Sequence, residues 1–346
     1  MINPQDLCTR ARDLLASGEV RAVVGYRRGS RGMAAEPVVI TKPEEAASLV
    51  WDPSCVHNLA LYLVADRKRL AHLHQTPGKP IAIVAKGCDA RALVVLMQEN
   101  YFKREEVYIL GVSCESTGVW DDQKLMQRLG CDSQSLTGGR FDGDDFVVTT
   151  ATGEQRISAP ECMADRCLEC RHPFPTMNNV VLGEEKARTL AAPFAALSRF
   201  EEATGTQPAR WAFWQRQFER CIRCFACRSV CPMCYCEECI VDSITFTVAL
   251  DTTAAEKANR VRWIQRSATR SENIGYHMTR ALHLAGRCID CGECERVCPV
   301  HIPLRLLNNK LEKESREKFG YEPGVSIEIA SLVSSFRDDD PNDFIR

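Results

Sequence analysis

Apolar positions near the start of the chain recur at helical spacing, with Leu7, Ala11, Leu14 and Leu15 on one face. Asn3 and Pro4 supply an N-cap and a first-turn proline, and Gly18 a left-handed stop. The pattern then changes period. Val20 to Val24 reads as a strand, and Ile81 to Ala85 (IAIVA) is a short apolar run of the kind buried in a parallel sheet. Lys86-Gly87-Cys88-Asp89 turns that run into a helical segment, ARALVVLMQE, and Val107 to Val112 is the next apolar strand, ending in SCES. Strand, helix, strand predicts a βαβ unit with a mainly parallel sheet, and both turns fall at the C-terminal edge of that sheet. Phe141 to Ile157 (FDGDDFVVTTATGEQRI) predicts one hairpin turning at Thr152-Gly153, set as a ribbon on the sheet edge. Beyond Gly183 helical spacing dominates, and the acidic run Asp338 to Asp340 marks a solvated tail.

The expected organisation is therefore an α/β domain over 1–185, an all-α domain over 186–315 and a C-terminal tail over 316–346. A chain of 346 residues is long enough for two or three cores. Its 44 Lys and Arg against 46 Asp and Glu leave a formal charge of -2, so nothing points to nucleic acid or an anionic membrane. The N-terminal stretch lacks the apolar core of a signal peptide, and no run approaches the roughly 20 apolar residues of a membrane span. A cytoplasmic, reducing compartment is expected, in which 19 clustered cysteines bind metal or do redox work rather than form disulfides.

The cysteines change the picture most. Cys221, Cys224, Cys227 and Cys231 precede Pro232, and Cys288, Cys291, Cys294 and Cys298 precede Pro299, so each set reads C-x2-C-x2-C-x3-C-P. Three closely spaced thiolates wrap one 4Fe-4S cluster while the fourth, beyond a turn, reaches the neighbouring cluster. On that rule Cys221, Cys224, Cys227 and Cys298 hold cluster 1, and Cys288, Cys291, Cys294 and Cys231 hold cluster 2. Zinc sites pair C-x2-C knuckles and use four ligands in all, which poorly explains two full runs. Three more thiols, Cys234, Cys236 and Cys239, follow the first run in C-x-C-x2-C spacing. They are either ligands of a further cluster completed by Cys162 or another distant cysteine, substitutes for ligands elsewhere, or spare thiols.

In the first domain the Gly87-Cys88 turn is either a cradle for a thiolate-ligated cluster or flavin phosphate, or a simple tight turn with a buried cysteine. It lacks the three-glycine dinucleotide fingerprint. Arg27, Arg28 and Arg31, set among glycines, read as a flavin-phosphate site or as a solvated loop. The seven histidines show no i, i+4 pairing with an acid and are expected at the surface or in helix packing. Trp211, Phe213, Trp214 and Phe218 are expected to pack the cluster domain.

Over residues 208 to 312 the two cysteine runs, separated by the helix-rich RVRWIQRSATRSENIGYHMTRALHLAG, resemble the α-helical ferredoxin of the heterodisulfide reductase C subunit and of succinate dehydrogenase iron-sulfur subunits. The plant-type ferredoxin domain of the latter is absent. Over residues 15 to 185, KGCDARALVVL, YILGVSCES and CLECRHPFPTMNNVVLGE resemble the flavin-binding beta subunit family of deazaflavin-reducing hydrogenases and related formate dehydrogenases. That resemblance implies FAD and a proximal third cluster on Cys88, Cys114, Cys167 and Cys170. Members of the family commonly carry the ferredoxin motif ahead of this domain, whereas here it follows. The implied role is an electron-transfer subunit, non-catalytic or flavin-bearing, relaying electrons between a formate dehydrogenase, hydrogenase or flavin site and a heterodisulfide-reductase-like partner. The alternatives are a catalytic subunit that accepts hydride from reduced deazaflavin or NAD(P)H at FAD, and a flavin-free docking adaptor.

Overall fold

The computed structural model describes residues 2–30, 32–114, 118–184, 191–237, 239–242, 253–259 and 263–336. The packing divides the chain into two compact units, one of Met1–Pro193 with Pro323–Ser335 and one of Phe194–Glu322. Arg31 and the acidic run 338–340 lie outside the described residues.

In the first unit α1 (Pro4–Ala16) is capped by Asn3, whose side chain accepts from Gln5 N, and Gly18 at φ +67 follows its end. β1 (Ala22–Arg28), β2 (Ala35–Ile40), α2 (Ala60–His72), β3 (Ile81–Ala85), α3 (Gly87–Gln98) and β4 (Val107–Val112) follow. The main sheet runs β2-β1-β3-β4-β8, where β8 is Val180–Leu182. β1, β3, β4 and β8 pair in parallel and only β2 is antiparallel. β3 and β4 are buried along their whole length, as continuous apolar runs require when both faces are covered.

One expectation needs correction. Residues 136–158 form three strands, β5 (Leu136–Asp142), β6 (Asp145–Thr150) and β7 (Gly153–Ser158), in a sheet of their own rather than a ribbon on the main sheet. A second turn at Gly143, φ +63, adds the extra strand. The sheet packs its own core of Phe146, Val148 and Ile157 with Met33, Trp120, Leu125 and Met163. α4 (Asp122–Leu129) precedes it, and α5 (Ala159–Cys162) and α6 (Asp165–Leu168) follow. β8 lies between Thr176 and Gly183, where the sequence pattern predicts no element. Residues 323–335 return to α3, where Arg91 donates to Pro323 O at 2.7 Å and Gln98 to Ile329 O at 2.6 Å.

The second unit is helical: α7 (Ala195–Thr204), α8 (Gln207–Glu219), α9 (Ala226–Ser229), α10 (Ala254–Asn259), α11 (Arg270–Leu284), α12 (Glu293–Arg296) and α13 (Leu304–Phe319). Asn273, Tyr276, His277, Arg280, Ala281 and Leu284 form the buried stripe of α11, at the spacing of one helix face. Phe218 stacks on His277 with ring centroids 4.8 Å apart, and Trp214 stacks on Phe218 at 5.6 Å, so Phe218 and Trp214 pack the unit while Trp211 is 43% exposed. Among the described residues no helix is long and apolar enough to cross a membrane.

Candidate metal centres

The two ferredoxin runs fold alike. Arg223 and Phe225 flank Cys224 in left-handed conformation at φ 56 and 59, and Asp290 and Gly292 flank Cys291 at φ 54 and 65. Short helices α9 and α12 then carry Cys227 and Cys294. The fourth cysteines end matching turns, with Cys234 N donating to Cys231 O and His301 N to Cys298 O, both at 3.0 Å. Left-handed backbone at non-glycine residues costs energy and persists only where the surroundings impose it. Here they do. Arg223 donates to Glu272 O and Gln265 O at 2.8 Å each, and Arg305 clamps both oxygens of Asp290 at 2.7 Å.

A cavity of about 410 Å³ is lined by Cys288, Cys291 and Cys294 of the second run together with Cys231 of the first. These are the four thiols that the spacing predicts for cluster 2, and the fold brings them around one cavity. Its wall also holds Arg280, Arg305 and Asn308, and Asn308 Nδ2 lies 3.7 Å from Cys294 Sγ. Burial pushes the Cys288 thiol well above its usual range and the Cys294 thiol up to about 12. Sulfurs so placed become thiolates when a metal takes them, since a coordinating thiol is deprotonated outright. The buried Nε of Arg280 has no partner among the described residues, leaving a donor beside an anionic cluster's position. The donor set, the cavity and the buried cation all fit a 4Fe-4S group.

For cluster 1, Cys227 and Cys298 share a buried core cluster, and Cys221 packs against it. N–H and O–H groups aim at the sulfurs: Arg223 N to Cys221 Sγ at 3.4 Å, Ile302 N to Cys298 Sγ at 3.3 Å, and Tyr276 Oη at 3.4 Å from Cys227 Sγ. Hydrogen bonds to sulfur are one of the levers by which a protein sets cluster potential. Cys224 is exposed.

In the first unit the turn after β3 is built on a buried ion pair. Lys86 Nζ lies 3.1 Å from Asp89 Oδ2, donates to His57 O at 2.7 Å and meets Tyr26 Oη, with Lys86 and Asp89 2% and 0% exposed. Asp89 also accepts from Lys86 N at 2.8 Å and Leu59 N at 2.6 Å, which pins the start of α3. Cys88 follows at the sheet's C-terminal edge. Burial and the Asp89 carboxylate push its thiol well up, against Lys86 and Arg166, and Cys114 beyond β4 stands near enough to add to the rise. The chain after Cys167 and Cys170 is laid over this edge. Cys114 N donates to Pro173 O at 2.9 Å, and a Cβ at Gly87 would coincide with the His172 carbonyl oxygen. Gly87 is thus required by the approach of the chain's own loop.

Arg28 pairs with Asp52 at 2.5 Å and donates to Met33 O, and Arg27 pairs with Glu36 at 3.1 Å. A larger cavity of about 830 Å³ opens at the same sheet edge, lined by Ile2, Pro4, Trp51, Ser113, Cys114, Arg140, Phe141 and Asp142. Crevices beyond the carboxyl ends of strands are the usual ligand sites of open α/β sheets. Cys162 is fully buried in the core of the second sheet, its thiol donating to Ser158 O at 3.8 Å and raised to about 12 by burial. Cys234, Cys236 and Cys239 line a further cavity of about 430 Å³. Among the described residues no three His, Cys, Asp or Glu side chains are arranged to hold a single metal ion; the cysteines stand around cavities. Arg280, Lys86 and Asn308 were not singled out by the sequence. For Arg280 a signal existed, since an arginine falling on the apolar stripe of a helix has to be buried against something anionic.

Comparison with known proteins agrees with this geometry. Residues 78–189 match the family described as the C terminus of the coenzyme F420 hydrogenase/dehydrogenase beta subunit, and residues 217–302 match the 4Fe-4S dicluster domain. The chain is 24% identical to the F420-dependent formate dehydrogenase subunit beta of Methanocaldococcus jannaschii, over 93% of this chain and 92% of that one. It is 22% identical to the F420-dependent formate dehydrogenase 1 subunit beta of Methanococcus maripaludis, over 91% and 89%. A chain of the F420-reducing NiFe hydrogenase complex of Methanosarcina barkeri overlaps with a TM-score of 0.37 at 13% identity, over 48% of this chain and 58% of that one. The chain is thus similar along nearly its whole length to F420-dependent formate dehydrogenase beta subunits, with one segment that matches the C-terminal family of F420 hydrogenase/dehydrogenase beta subunits and another that matches the 4Fe-4S dicluster domain.

Proposed function

We propose that this chain is the iron-sulfur electron-transfer subunit of an F420-dependent formate dehydrogenase or hydrogenase type of complex. Cys221, Cys224, Cys227 and Cys298 hold one 4Fe-4S cluster, Cys288, Cys291, Cys294 and Cys231 a second, and Cys88, Cys114, Cys167 and Cys170 a third. The observation that carries the proposal is the cavity in which Cys231 of one run joins the three cysteines of the other. The α/β domain over 1–185 receives electrons and the ferredoxin domain over 186–315 passes them to a redox partner subunit. Anaerobically purified chain is expected to contain iron and acid-labile sulfide in equal amounts, about four of each per cluster. Iron at trace level, or zinc in its place, defeats the proposal.

The cavity of about 830 Å³ beside Cys114 favours a second role, with FAD as its occupant and reduced deazaflavin as hydride donor. A flavin takes an electron pair where clusters take single electrons. Trp51 and Phe141 offer apolar walls, and Arg140 a cation that is ion-paired to Glu154 at 2.5 Å. Flavin released on denaturation near one per chain, and bleached by reduced F420 in the native chain, supports this role. Flavin well below one per chain favours a flavin-free adaptor.

A further inference from the structure

We propose that Cys234, Cys236 and Cys239 hold an additional 4Fe-4S cluster in the cavity they line, with His283 of α11 as the fourth ligand. This centre is additional to the three proposed above.

Four observations lead to it. The two ferredoxin runs align at an offset of 67 and share their left-handed steps and their post-cysteine turns, yet His301, Pro303 and Leu306 stand where the first run has Cys234, Cys236 and Cys239. The second run therefore completes its half of the fold without them, and both ferredoxin clusters already have four ligands. The three thiols line one cavity. Its walls are basic, with Arg228, Arg280 and Arg287, which suits an anionic cluster. Arg228 shares its charge with Asp242 at 3.1 Å, and Arg287 lies over the Tyr235 ring at 5.4 Å and so fixes the C-x-C segment. Cys162, enclosed in the apolar core of the second sheet, is not placed to act as the fourth ligand. His283 is the one imidazole among the residues lining the cavity. Each thiol would release its proton on binding iron.

The test is the iron, sulfide and zinc content of the anaerobically purified full chain. Cys236→Ser combined with Cys239→Ser is expected to lower iron and sulfide by about four each per chain, with the EPR signals of the ferredoxin clusters retained. Unchanged iron overturns the proposal, as does the loss of one zinc in place of iron. Should that variant lose every cluster, His283→Ala decides, because its side chain is exposed and replacing it leaves all the cysteines in place. A shifted EPR signature or lowered iron supports the site, whereas parental iron and an unaltered spectrum overturn it. Cys291→Ser is measured alongside: if it keeps its iron, the ferredoxin assignment fails instead, and the two failures stay distinguishable.

Discussion

Arg280 is the residue whose replacement tests the electrostatics of the cluster domain most directly. It is 5% exposed, lines both the 410 and 430 Å³ cavities, and donates to Cys227 O at 3.0 Å. Burial alone would lower its pKa, but Cys234, Cys231, Cys294 and Cys227 together hold it well above the usual guanidinium range. One cation thus faces sulfurs from both ferredoxin clusters and from the third cavity. Reducing a cluster adds one negative charge. Two unit charges roughly 8 Å apart in an effective dielectric of about 20 interact by about 2 kcal/mol. For one electron that is on the order of 90 mV, at about 2.3 kcal/mol per 100 mV. Arg280→Met is therefore expected to lower the midpoint potentials of both ferredoxin clusters by some tens of millivolts, up to about 90 mV, with cluster content preserved. Arg280→Lys should restore most of the difference. The assay is an EPR-monitored redox titration of the anaerobic full chain, with iron counted in parallel. Unchanged potentials in Arg280→Met refute the reasoning, and an equal fall in Arg280→Lys assigns the effect to packing rather than charge. Because the charge is buried, added salt should alter the shift little.

Three further outcomes follow from the same geometry. Gly87→Ala drives a methyl into the His172 carbonyl, so it should destabilise the first unit by several kcal/mol and lower iron by about four per chain; parental iron and melting would show that the 167–175 loop moves freely. Lys86→Met leaves Asp89 buried without its cation and should cost about 3–5 kcal/mol in denaturant unfolding, and a change too small to resolve would mean that water replaces the amine. His277 is held neutral, its pKa lowered to about 3 by burial and then by Arg280 and Arg223. The unfolded chain binds this proton below about pH 6.5 while the folded chain does not, so stability falls with acidification by about 1.4 kcal/mol per pH unit down to about pH 3. His277→Phe, which can keep the stack on Phe218, should remove that slope; parallel pH profiles of parent and variant would reject it.

What the sequence disclosed was whatever is locally encoded. Continuous apolar runs mark β3 and β4, and the two cysteine runs announce the 4Fe-4S dicluster domain. β8 is three half-buried residues that become a strand only by pairing with Leu110 to Val112, a partner that lies about 70 residues away. The extra strand of the small sheet turns on Gly143, within a run of aspartates that reads equally well as one loop. Arg27 and Arg28 have carboxylate partners, Glu36 and Asp52, that lie in other segments and are not announced by the arginine-glycine pattern. The basic walls of the third cavity are hidden for the same reason. Arg280 and Arg287 belong to the chain around α11, and nothing in the C-x-C-x2-C spacing announces that they will meet it.

The placement of cations follows from the acids they serve. Burial raises the thiols of Cys88, Cys288 and Cys294, so an uncompensated set of thiolates would be strongly disfavoured in both units. In each unit a buried cation stands beside the cysteines: Lys86 at Cys88, and Arg280 at Cys227, Cys231, Cys234 and Cys294. Lys86 is neutralised by Asp89, whereas the buried Nε of Arg280 has no partner among the described residues. The first cation is compensated by a carboxylate within the protein, and the proposed anionic clusters would compensate the second. Folding of the ferredoxin unit should therefore be coupled to cluster assembly more tightly than folding of the α/β unit, where a complete hydrophobic sheet and a closed ion pair exist before any iron arrives.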